Sequence, residues 1–174
     1  DTEEWTGAGA NIGAWSTGGN LNTGREYLAS SGTQTAGLAF GGYTTTSVAN
    51  TETYNGSSWT EVADLNTART ELSGDGTSTS SLAVGGTVPP QTAVNESWNG
   101  TSWAESADLN TARHQLGAAG VDNTSSLVFG GRVGAPRRNE TESWNGTSWT
   151  EVANLNTTRA VSYTHLRAHE TVLD

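Results

Sequence analysis

Four arginines recur at one place in a repeated phrase: Arg25 in LNTGR, Arg69 and Arg113 in LNTAR, and Arg159 in LNTTR. A guanidinium offers five donors in a planar fork, so such a series can gather anions or tie a scaffold together. The first three are each followed by a repeated acid, Glu52, Glu96 and Glu142. Pairing with that acid, or bonding to loop carbonyls, is the simpler chemistry. His114 is the only histidine before residue 161, at a position that Glu26 and Thr70 fill in the sister phrases. Catalytic and metal sites need several convergent groups, so His114 reads as a surface residue at a strand start. GDGTSTS, from Gly74, is neither a phosphate loop nor a complete calcium loop, and reads as a turn. No catalytic, cofactor-binding or metal-binding residue is therefore assigned.

The segments that break the repeat carry the binding chemistry. After Gly-Gly pairs at Gly41, Gly85 and Gly130 the chain reads YTTTSVAN, TVPPQTAV and RVGAPRRN, while the flanking segments stay alike. Variable loops on a rigid scaffold are where binding is expected. Tyr43, Pro89, Arg132, Arg137 and Arg138 are the candidate ligand contacts. The last three put positive charge in one loop of an acidic chain, which suits an acidic glycan or a carboxylate patch; the alternative is a merely solvated loop.

These loops need elements to hold them. The LNT phrases begin at Leu21, Leu65, Leu109 and Leu155, at spacings of 44, 44 and 46, and YNGSSW or WNGTSW runs in step from Tyr54, Trp98 and Trp144. Each period reads as four short strands: a first segment after the Arg; an apolar run such as AGLAFGG, suited to a doubly covered strand; then TETY, NESW or TESW; and a last strand opening on Trp. Asn-Gly between the last two signals a hairpin with a type I′ turn. A single four-stranded sheet of this size cannot bury both faces, so neighbouring sheets must supply the core.

The Gly pair after a short apolar strand, followed by an aromatic and a Trp five residues later (Tyr54 and Trp59, Trp98 and Trp103, Trp144 and Trp149), resembles the kelch repeat. The resemblance runs from Thr2 to Arg159 and implies a β-propeller of the galactose-oxidase and kelch superfamily. The expected fold is all-β: a partial, open propeller with about three complete four-stranded antiparallel blades and fragments at both ends. In such a blade the variable loops and the LNT turns share one rim. One departure is WTGAGANIGAW, with nine residues between Trp5 and Trp15 where later copies have four. Galactose oxidase would imply a copper site with a Cys-modified Tyr. This chain has no Cys, so no copper and no other cofactor is expected. The recurring aromatics could stack sugars, but recurrence in every blade favours packing between blades. Asn-x-Ser/Thr triplets at Asn55, Asn95, Asn99, Asn123, Asn139, Asn145 and Asn156 match the glycosylation pattern, yet turn chemistry accounts for them.

Composition narrows the partners. Net charge is -10, with 8 basic residues, all Arg, against 18 acidic. This argues against nucleic acid and anionic membranes. No apolar run approaches the roughly 20 residues of a membrane helix, so no membrane insertion is expected. Absence of Met, even at the start, indicates that residue 1 is not a translation start.

The repeat stops after Arg159. Val161 to Thr171, VSYTHLRAHET, resembles, residue for residue, the translation of a transposase-based sequencing adapter. Residues 1–160 are thus read as a kelch-like propeller fragment and 161–174 as a non-native tail, whose His165, Arg167, His169 and Glu170 are set aside. The remaining blades of a longer protein are then among its partners. WNGTSW, LNTAR and TAGLAFGG also resemble repeats of environmental tailed-phage and bacterial surface proteins. That implies a non-enzymatic binding or adhesion module on a virion or cell surface, with a protein or glycan ligand. The alternatives are an enzyme whose active site lies in missing blades, and an architectural spacer.

Overall fold

A computed structural model describes residues 3–5 and 15–160. The long turn expected between Trp5 and Trp15 and the tail reading for 161–174 lie outside them. The described residues are all-β, with a two-stranded hairpin followed by three four-stranded antiparallel sheets. The hairpin is β1 (Glu3–Trp5) with β2 (Trp15–Thr17), in which Trp5 pairs across to Trp15. Blade 1 contains β3 (Ala29–Thr33), β4 (Ala36–Phe40), β5 (Thr51–Tyr54) and β6 (Trp59–Glu61). Blade 2 contains β7 (Ser73–Thr77), β8 (Ser80–Val84), β9 (Asn95–Trp98) and β10 (Trp103–Ser106). Blade 3 contains β11 (Gly117–Asp122), β12 (Ser125–Phe129), β13 (Thr141–Trp144) and β14 (Trp149–Val152). Within each blade the strands pair in chain order, and the first strand is an edge. The edges meet: β7 packs against β3 on one side and β11 on the other. This is an open, propeller-like arrangement of three blades.

The core lies between blades, as the size of a single sheet demands. Leu38 and Phe40 of β4 cluster with Leu72, Ala83, Trp98 and Trp103 of blade 2. Leu82 and Val84 of β8 cluster with Leu116, Ala118, Val128, Trp144 and Trp149 of blade 3. Side chains alternate along a strand, so β8 gives Ala83 to one seam and Leu82 and Val84 to the other, which makes it doubly covered. The recurring aromatics fill these seams. Phe40 meets Trp103 edge-on at 4.9 Å between ring centroids, and burying such a ring contributes about 1.5–3 kcal/mol.

The Asn-Gly segments do join the third and fourth strands, Tyr54 pairing with Trp59, Trp98 with Trp103 and Trp144 with Trp149. The turn differs from the expected type I′. Only the glycines, Gly56, Gly100 and Gly146, have positive φ. Asn55 instead folds its side chain over a four-residue loop, where Oδ1 accepts from the amides of Ser57 and Ser58. Asn99 and Asn145 do the same, so the Asn supplies a side-chain acceptor in place of a left-handed backbone.

Candidate functional site

The rim is built by the repeated Arg. Side chains of Arg25, Arg69 and Arg113 are fully buried, each against its own acid: Arg25 with Glu52 at 2.5 Å, Arg69 with Glu96 at 3.1 Å, Arg113 with Glu142 at 2.6 Å. Arg69 also donates to the carbonyls of Ala83, Gly85 and Val94. Glu96 accepts in turn from the backbone and side chain of Asn66 and from the amide of Thr67. The LNTAR phrase is therefore tied by side-chain hydrogen bonds to the blade that follows it, with only Arg69 Nε left buried without a partner in the guanidinium. Its backbone reaches the other way, where Gly42 N donates to Arg69 O and Leu65 N to Ala49 O. The phrases from Leu65 and Leu109 thus each pin the variable loop of one blade to the body of the next. This close approach explains the glycine pair: Gly41 and Gly42 sit at φ 65° and 113°, and a Cβ on Gly41 would lie 2.8 Å from the Arg69 carbonyl oxygen.

Burial and charge act in opposition here. Burial alone would raise Glu52, but the Asn22 amide and the Arg25 guanidinium hold it below its ordinary value. Burial pulls Arg69 down to about 10, against the charges of Glu96, Asp108 and Glu105. Both groups stay ionised at neutral pH, and none of these arginines is presented to a ligand.

Period-breaking residues emerge directly from this clasp. The residue after each Arg bridges the residue after each Gly pair: Glu26 with Tyr43, Thr70 with Thr87, His114 with Arg132. The next residues are Tyr27, Glu71 and Gln115, the described non-glycine residues with positive φ, at 54°, 56° and 53°. Glu71 N donates to Tyr27 O, and Gln115 N to Glu71 O. A continuous backbone path thus runs from blade to blade along the inner rim and carries a different residue set at each step. Left-handed backbone at non-glycine residues costs on the order of 1 kcal/mol or more and persists only where the surroundings over-determine it.

The candidates Tyr43, Pro89 and Arg132 occupy successive variable loops on this rim, each loop closed by its own short bridge. Tyr43 is 37% exposed and Tyr27 50%. Pro89 and Arg137 are exposed. The three loop arginines are not equivalent. Arg132 is half-buried and donates to Ala135 O; Arg138 lies 3.5 Å from Glu140; Arg137 pairs with no carboxylate among the described residues.

His114 departs from its reading as a surface residue. Its side chain is only 14% exposed, with Nε2 3.9 Å from Glu71 Oε2. Gln115 Nε2 donates to Glu71 Oε1 at 2.6 Å, and Thr87 Oγ1 to Glu71 Oε2 at 3.2 Å. The blade 2–blade 3 junction of the rim is thus a small polar cluster centred on one carboxylate. Sequence reasoning missed Glu26, Tyr27, Glu71 and Gln115. Their signal was present: EY, TE and HQ follow the repeated Arg without repeating, directly before a repeated Leu.

GDGTSTS is a strand running into a turn. Asp75 sits in β7, buried, with Oδ2 accepting from Ser126 Oγ across the blade seam. Burial, helped by the charge of Asp122, raises its pKa to about 6 despite the Ser126 hydrogen bond. Among the described residues no cluster of His, Asp and Glu is arranged to hold a metal ion, and no helix is long and apolar enough to cross a membrane. No protein-family model matches the chain, and no curated protein matches it.

Proposed function

We infer that the chain is a non-enzymatic binding module, a kelch-like propeller segment of a virion-tail or cell-surface adhesion protein, whose rim takes a glycan or protein ligand. What supports this reading is a division of labour among positions. Blade 2 positions that repeat, such as Arg69, Glu96, Leu82 and Trp98, are buried in the scaffold, and several that break the repeat (Tyr27, Tyr43, Pro89, Arg137) are exposed along one rim, while Glu71, His114, Gln115 and Arg132 are half-buried there. A spacer has no need of a rim that differs from blade to blade. Exposed tyrosines offer flat apolar faces with a polar tip, and Arg offers forked donors to carboxylates, so an acidic oligosaccharide suits both.

The test is an array of neutral and uronic- or sialic-acid-bearing oligosaccharides. Expected is salt-sensitive binding to acidic members, weakened at least tenfold by Tyr27→Ala with Tyr43→Ala and by Arg137→Ala. Folded protein that binds no member, or binds equally well after these changes, would refute the reading.

A further inference from the structure

The rim changes its chemistry from blade to blade. The variable loop of blade 1 carries no charge and presents Tyr43. That of blade 2 is also uncharged, with Val88 39% exposed and Pro89 exposed beside it. Only the loop of blade 3 is charged, through Arg132, Arg137 and Arg138. Among the described residues, Arg138 alone of these three lies within ion-pair distance of a carboxylate, Glu140 at 3.5 Å.

Glu71 stands where the uncharged loop of blade 2 meets blade 3. Its neighbours on the inner path, Tyr27 and Gln115, are uncharged. Unlike the acids of the clasp, it pairs with no arginine among the described residues. Its oxygens accept from Gln115 Nε2 and Thr87 Oγ1, and His114, which bridges Arg132, lies 3.9 Å away. Neutral donors fix the place of a charge without cancelling it. The Glu71 side chain is 22% exposed, so its field reaches the solvent above the rim. Glu26, exposed and bridged to Tyr43, has the same sign at blade 1. Blade 2 is packed on both sides, so the surroundings of Glu71 are complete within the chain.

A ligand laid across the rim therefore meets positive charge over blade 3 and a fixed negative charge one step back. A chain with an acid on every ring is attracted at the first and repelled at the second. A neutral chain with an acid only at its end is attracted without being repelled. We propose that Glu71 determines the specificity of the rim: it selects an oligosaccharide that carries its acid at one end, seated over Arg132 and Arg137, and rejects polyanions such as polyuronates. The repulsive element sets the choice as much as the attractive one does. This rests on the reading of the rim as a glycan site and deepens it, because it fixes the charge pattern and the direction of the ligand.

Calorimetry at pH 7.5 and low salt, on three probes of equal length, tests this. The probes are a neutral oligosaccharide, the same chain with one terminal uronic acid, and a polyuronate. Wild-type protein should bind the terminally acidic chain most tightly. Glu71→Gln removes the charge and keeps the local structure. Gln already fills this position in blade 3, at φ 53° against 56°, and the Thr87 hydroxyl can accept where it now donates. The far-UV circular dichroism of the variant should match wild type. It should bind the polyuronate about two- to fivefold more tightly, lose that gain in high salt, and bind the other two probes as wild type does. Wild-type protein that binds the polyuronate most tightly, or a variant that changes all three affinities alike or none, overturns the proposal and leaves the glycan reading in place. Folded protein that binds no probe overturns both.

Discussion

Replacing Asp75 by Asn should stabilise the protein at neutral pH and not at acid pH. Asp75 is buried in the seam between blades 2 and 3, its Oδ2 bonded to Ser126 and its Oδ1 without a hydrogen-bond partner. The fold needs no carboxylate there, since Ser31 and Ala119 hold the same register in blades 1 and 3. Burial raises the pKa from an ordinary 3.8 to about 6 in the folded chain. Between those values the native state binds a proton that the unfolded chain has released, so stability falls as pH rises through the window and is level above it. At ~1.4 kcal/mol per pH unit the ionised carboxylate costs about 2–3 kcal/mol at pH 7.5 relative to pH 4. Urea unfolding of dilute protein, followed by Trp fluorescence at both pH values, measures this. The variant-minus-wild-type difference should be 2–3 kcal/mol more favourable at pH 7.5 than at pH 4. Titration of all other carboxylates cancels in that comparison, as does any packing cost of Asn. A difference that is the same at both values would refute the argument.

Two further outcomes follow from the clasp and the rim. Glu96→Ala leaves the Arg69 guanidinium buried without its acid and frees the Asn66 and Thr67 amides, and should cost about 3–5 kcal/mol in urea unfolding. Tyr27→Gly removes the left-handed penalty at an exposed side chain while adding unfolded-chain entropy, so stability should rise by up to ~1 kcal/mol as binding at the rim falls. A loss of stability at residue 27 would show that the Tyr side chain contributes packing that outweighs its backbone strain.

Much of the architecture was legible in the chain because the repeat acts as its own alignment. Gly-Gly after an apolar run placed the end of each second strand, and those strands end at Phe40, Val84 and Phe129, directly before the pairs. The Arg–Glu pairing was readable for the same reason: two oppositely charged types that recur in step must meet or be separately solvated in every blade. The turn type was misread because Asn-Gly fits two geometries. A two-residue loop uses left-handed backbone at both positions, and a four-residue loop uses the Asn side chain as an acceptor. Loop length, set by the pairing of Tyr54 with Trp59, decides between them.

The rim was only half legible. Tyr43, Pro89 and the loop arginines stood out by composition, but Tyr27, Glu71 and Gln115 sit in segments that read as ordinary strand starts. Nothing local marks them as left-handed. That conformation is imposed by the hydrogen bonds from Glu71 N to Tyr27 O and from Gln115 N to Glu71 O, each spanning one whole period.

The sequence by itself determined the unit: four strands per period, their hairpins, the apolar faces, the buried ion pair and the need for neighbours, all of which follow from short-range pattern and from what one thin sheet cannot bury. Tertiary structure alone decided what meets across the seams. Asp75 against Ser126 and His114 beside Glu71 depend on how one rigid sheet registers on the next. That register is set by packing between residues of different blades, such as the Phe40 ring on Gly74 and Trp103, and the pattern along a single strand does not encode it.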